Sequence, residues 1–136
     1  MGIKENIEHI DTNIIVRLIT QDDPKMVKRA EKLIAKKHKT YIFEDPAMME
    51  VVFVLTGDYY RYTRKEVSES IKAIMHFENI CFNRGLIKDS LDLYVSHPKL
   101  SFVDCYLAAT TNLSNEKPLW TFDHKLASQC TVAKEL

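Results

Sequence analysis

Along all 136 residues, short runs of strand-forming residues alternate with longer segments of helical period, and no other feature constrains the fold as much. The strand-like runs are "NIEHI", "TYIF", "NICF", "PLWTF" and "TVAKE". Helical patterns fill the intervals. Thr12 to Thr20 reads as the first, and "DDPKMVKRAEKLI" sets Pro24 at a helix N1 position, with Met26, Val27, Ala30, Leu33 and Ile34 following at helical spacing. "EDPAMMEVVFVLTG" opens on another acid-Pro pair and closes on Gly57, while "TRKEVSESIKAIMHF" carries Val67, Ile71, Ile74 and Met75 on one side. "NRGLIKDSLDLYVSH", which ends before Pro98, "SFVDCYLAATTNLS" and "DHKLASQ" supply the rest. Such alternation predicts a parallel sheet with helices on both faces and a ligand site off the carboxyl ends of the strands.

A chain of this length fits one domain, residues 1–136, with a core that needs no staples. Three Gly and four Pro leave no room for linkers or low-complexity segments. Cys81, Cys105 and Cys130 are widely separated and never form a C-x-x-C, so neither a disulfide framework nor a zinc knuckle is expected. "MGIKENIEHI" lacks the apolar centre of a signal peptide, and no apolar run approaches the roughly 18 residues of a membrane span. The expectation is a soluble, cytoplasmic protein with no membrane association. Nineteen basic side chains balance nineteen acidic ones, so the whole-molecule field does not advertise nucleic-acid binding. The charge is uneven, however: seven basic residues stand against three acids between Gln21 and Thr40, either as a basic surface or as a solvated helix face.

Four acids stand in apolar settings. Asp11 and Asp123 each follow a strand pattern, which in a parallel sheet puts both at strand carboxyl ends. Glu50 lies within "AMMEVVFVL", a segment apolar on both sides, so its helix is expected to be buried all round and its carboxylate to enter an interior or a cleft. Asp104 lies in "SFVDCYLAA". Structural roles are open for each: Ser101 and Asp104 fit a capping-box variant, Asp11 and Asp123 could cap the helices that follow, and Glu50 could pair with Arg17 or a Lys. Brought within several Å of one another, four carboxylates would repel by roughly 4 kcal/mol per close pair at an effective dielectric of about 20. A cation would have to compensate, and oxygen-only ligation suits Mg²⁺ or Mn²⁺ rather than zinc.

At these residues the sequence resembles the PIN-domain ribonucleases, and among them the VapC-like toxins of type II toxin-antitoxin systems. The motifs that carry the resemblance are "DTNIIVRL", "MMEVVFVL", "SFVDCYLAAT" and "LWTFD", in that order and at family-like spacings across essentially the whole chain. His9 in the first strand and Cys105 after the third acid depart from the usual pattern without removing an acid. The resemblance implies a three-layer α/β/α fold around a central, mainly parallel sheet of four to five strands. It implies Asp11, Glu50 and Asp104 as catalytic metal-binding carboxylates, Asp123 completing the site, and Asn13 and Thr121 hydrogen-bonding the carboxylates. It also implies a cognate antitoxin protein as partner, seated in an apolar groove, and a homodimer.

The reaction expected is Mg²⁺- or Mn²⁺-dependent endoribonucleolytic hydrolysis of RNA phosphodiesters, with Lys36, Lys37, Lys39, Arg61 and Arg64 as candidates to hold flanking phosphates. Tyr59, Tyr60 and Tyr62 beside Arg61 and Arg64 read either as a stacking platform or as a core edge or protein interface. The competing reading is a non-cleaving PIN-like module that binds RNA or protein. A phosphohydrolase of the haloacid-dehalogenase type would need a second acid at position 13, where Asn13 stands.

Overall fold

The computed structural model describes residues 6–136, and every strand and helix expected from the sequence forms. The chain divides into two compact units, the first ending at Asn83 and the second running Arg84–Leu136.

In the first unit, β1 (Ile7–His9), β2 (Thr40–Ile42) and β3 (Ile80–Cys81) form a parallel sheet in the order β1-β2-β3. Ile7 is in register with Thr40 and Tyr41 with Ile80. The crossovers are α1 (Thr12–Thr20) with α2 (Pro24–Ile34), then α3 (Asp45–Thr56) with α4 (Arg64–Ile74). Local chemistry sets their ends. Asp23 caps α2 by accepting from the Met26 N–H, Pro24 sits where no helical N–H is needed, and Thr63 and Glu66 close a reciprocal capping box on α4. Gln21 ends α1 in the left-handed region, its N–H reaching the Arg17 carbonyl. α1 packs on α2, α3 and α4, and Ile15, Val16, Met48, Val51, Leu55, Val67 and Ile71 are buried among them.

The second unit holds α5 (Arg84–Ser96), α6 (Phe102–Ser114), β4 (Leu119–Thr121), α7 (His124–Gln129) and β5 (Ala133–Glu135). α5 and α6 pack as a pair over Ile87, Leu91, Leu100 and Cys105, and β4 and β5 are parallel, with Trp120 opposite Lys134.

The expected central sheet of four to five strands is therefore corrected. The described residues form five strands, but the central sheet has three, and β4 and β5 hydrogen-bond to each other in a second, two-stranded sheet. Strand-forming residues determine where strands occur, whereas the ladder partner depends on backbone groups far apart in the chain. No helix among the described residues is long and apolar enough to cross a membrane, and Cys81, Cys105 and Cys130 form no disulfide.

Candidate active site

Asp11 leaves β1 at its carboxyl end and becomes the N-cap of α1, its Oδ1 accepting from the Thr12 N–H at 2.7 Å. The side chain is exposed. Capping thus uses one carboxylate oxygen and leaves lone pairs on the other turned to solvent. The next residue ties this corner to the following crossover: the Thr12 hydroxyl donates to the Ala47 carbonyl over a long 3.5 Å, joining the start of α1 to the first turn of α3. Glu50 stands three residues further along α3.

Glu50 does not enter an interior. It is exposed, and Phe53, three residues on and so on the same side of the helix, is 75% exposed. The helix buries Met48, Val51, Val52 and Leu55 and presents Glu50 and Phe53 outward, so its near-continuous apolar sequence conceals a one-sided helix. Arg17 does not pair with Glu50 either. Its guanidinium bonds the Asp22 carboxylate and reaches the Tyr60 hydroxyl at 3.2 Å, while that hydroxyl donates to the other oxygen of Asp22. Hydrogen bonds from Tyr60, and then from Arg17, hold the Asp22 carboxyl well below the usual carboxylate range, and the same partners raise Arg17.

In the second unit Asp104 is half-buried and forms the capping box of α6 with Ser101: its N–H donates to the Ser101 hydroxyl at 3.1 Å, and its Oδ2 accepts from the Ser101 N–H at 3.4 Å. Burial pushes the Cys130 thiol up, and the Asp104 charge adds to the effect. Asp123, also half-buried, leaves β4 at its carboxyl end and caps α7 through the Lys125 N–H at 2.9 Å. Thr121 accepts from the Asp123 N–H at 2.9 Å, which orients the backbone carrying that acid rather than the carboxylate itself. Asn13 is exposed and lines a groove of about 360 Å³ between α1 and α2, with Ile14, Arg17, Met26, Arg29, Ala30 and Leu33.

The basic candidates fall elsewhere on the first unit. Lys36, Lys37 and Lys39 precede β2, at the amino edge of a parallel sheet whose carboxyl edge carries Asp11. Lys39 pairs with Glu8 at 2.6 Å, and the Lys37 ammonium lies 5.8 Å from the Phe77 ring centre. Arg61 has a positive φ of 55° and donates through Nε to the Asp58 carbonyl, and Arg64 opens α4. The tyrosines beside them meet edge to face, Tyr59 with Tyr60 at 4.8 Å and Tyr60 with Tyr62 at 6.3 Å.

Capping therefore accounts for three of the four acids locally, and Glu50 has no such explanation. The roles of Thr12 and of the Asp22–Tyr60 pair emerge only in the fold; a hydroxyl just after a capping acid, and a second acid beside the cap of α2, are their only signals in the sequence. Among the described residues no group of three or more His, Cys, Asp or Glu side chains is gathered as a metal site. The donors fit a hard divalent cation by chemistry, since all are carboxylates and all are at least partly exposed.

Parallel strands joined by helical crossovers, with acids where strands turn into helices, define an α/β protein with candidate carboxylates at its strand ends. The PIN domain family matches residues 9–131, a span that includes all four acids, and the chain belongs to that family. PIN domains are generally nucleases and usually use divalent metals. No curated protein and no solved structure matches the chain.

Proposed function

We propose that this PIN domain is a metal-dependent endoribonuclease that hydrolyses RNA phosphodiesters, and that it serves as the VapC-like toxin of a toxin-antitoxin pair in the cytoplasm. The observation that carries the nuclease reading is the pair Asp11 and Glu50. One leaves β1 at its carboxyl end, the other is an exposed carboxylate with no capping role, and the Thr12–Ala47 bond couples the segments that bear them. Asp11 and Glu50 of the first unit, and Asp104 and Asp123 of the second, are the carboxylates proposed as ligands of Mg²⁺ or Mn²⁺. Held by these carboxylates, such an ion would supply activation of a water at neutral pH and charge stabilisation for the leaving oxygen.

The chain's own residues do the rest. The capping bonds fix the carboxylates of Asp11, Asp104 and Asp123, and Thr121 fixes the turn before Asp123. Lys36, Lys37, Lys39, Arg61 and Arg64 hold phosphates away from the cut, with Lys36, Lys37 and Arg61 exposed to solvent and Lys39 in competition with Glu8. Asn13 acts on the α1–α2 groove side of the site. That groove, with an apolar floor and the cation Arg29, supports an acidic amphipathic antitoxin segment as partner. The outward pair Glu50 and Phe53 supports a homodimer built across α3.

The test is cleavage of a total-RNA preparation by the purified protein with Mn²⁺, with chelator, and by the Glu50→Gln variant. Cleavage only by the unmodified protein with metal is the expected result. Undiminished cleavage by Glu50→Gln would remove that residue from the site, and binding of RNA without any cleavage would favour a non-cleaving module.

A further inference from the structure

The β4–β5 sheet carries a feature that the carboxylate site does not use. Alternation along a strand sends Trp120 and Phe122 to one side of β4 and its extension, and Leu119 and Thr121 to the other. Exposure follows the same alternation: Trp120 is 56% and Phe122 80% exposed, while Leu119 and Thr121 are half-buried. Large aromatic rings left this open forgo the burial that normally places them in a core. Lys134, opposite Trp120 across the ladder, sets its ammonium 5.9 Å from the ring centre. The neighbouring acid Glu135 is hydrogen-bonded to His124 of α7 at 2.8 Å. Asp123 follows Phe122 directly.

We infer that Trp120 and Phe122, with Lys134, form a stacking platform for unpaired bases of the RNA strand and position it beside Asp123; this rests on the ribonuclease reading and deepens it. Three observations select a single-stranded nucleic acid as the occupant. The rings recur at a two-residue strand spacing, about 7 Å, which suits successive bases of an extended strand and not the continuous stack of a duplex. A cation flanks the first ring, where a phosphate linking such bases can be met. Phe122 directly precedes Asp123, an acid of the candidate site, so RNA whose base is seated on Phe122 has its backbone close to that acid in the chain. The two ring faces carry no donor or acceptor pattern, so stacking on them selects unpaired over paired RNA with little preference for sequence.

Trp120 is the sole tryptophan, which makes stacking directly visible. The experiment uses the full chain carrying Asp11→Asn, with Mg²⁺, titrated with a short unstructured oligoribonucleotide and separately with the same sequence as a duplex. Intrinsic fluorescence reports the ring, and anisotropy of end-labelled RNA reports binding independently. Saturable quenching by the single strand, and much less by the duplex, is expected. Phe122→Ala should weaken single-strand binding by about 5- to 100-fold, with Phe122→Tyr restoring it. In the cleaving protein Phe122→Ala should raise KM far more than it lowers kcat.

Anisotropy that reports binding while Trp120 fluorescence stays constant would overturn the platform and leave the ribonuclease reading intact. Quenching by single strands from a protein that cuts no RNA would do the reverse. A fluorescence change that follows protein concentration alone would assign the face to a second copy of the chain and overturn the proposal.

Discussion

Asp11 does two jobs that a single substitution can separate. As an N-cap it needs only a side-chain oxygen, and Asn serves about as well as Asp there. As a metal ligand it needs the charge. Asp11→Asn is expected to keep its stability to within roughly 0.5 kcal/mol by thermal unfolding while losing RNA cleavage in a gel assay. Glu50 offers the opposite contrast, because it is exposed and caps nothing. Two capping roles were legible as short-range patterns: Ser101 three residues before Asp104, and the acid before Pro24, form the bonds their spacing implies. The direction of Glu50 was not legible. In a helix as apolar as α3, a stripe cannot be read from periodicity, and only the packing of α1 and α4 shows which side is left for solvent.

Elements are held to each other by a few specific contacts. The Arg17–Asp22–Tyr60 cluster joins the end of α1 to the segment between α3 and α4, across 38 residues of sequence between Asp22 and Tyr60. The folded state holds Asp22 below its ordinary value of 3.8, so its contribution is present above that pH and is lost as pH falls through the lower, folded value. Tyr60→Phe removes the largest cause of that depression. Its acid-unfolding midpoint, followed by circular dichroism, is expected at higher pH than that of the parent. The core of the same helices gives a larger effect: Leu55 is fully buried, and Leu55→Ala should cost about 2–5 kcal/mol in denaturant unfolding, the spread reflecting how far the cavity collapses. Five strands and seven helices were readable as elements because each is specified by local period and local caps. Their grouping into sheets of three and two was not, since no side chain in a three-residue strand names its neighbour.

For the whole molecule, zero formal net charge leaves RNA association to local groups, so the proposed site must supply its own attraction through bound cations. An ion bound by the folded chain alone stabilises it by mass action. Millimolar Mg²⁺ or Mn²⁺ is therefore expected to raise the melting temperature of the parent, and to raise that of Glu50→Gln by clearly less; equal shifts in the two would remove Glu50 from the site. The sequence by itself determined the order and type of the elements, the acids at strand ends and the membership of the PIN family, because these rest on period, on capping chemistry and on motifs that survive as text. Tertiary structure alone decided that Glu50 faces outward, that Arg17 is taken by Asp22 and Tyr60, that Lys36 to Lys39 occupy the sheet edge opposite Asp11, and that Trp120 and Phe122 remain uncovered. The physical reason is common to all four: each depends on which distant segment arrives alongside, and burial or pairing is set by that neighbour and not by the residue's own surroundings in the chain.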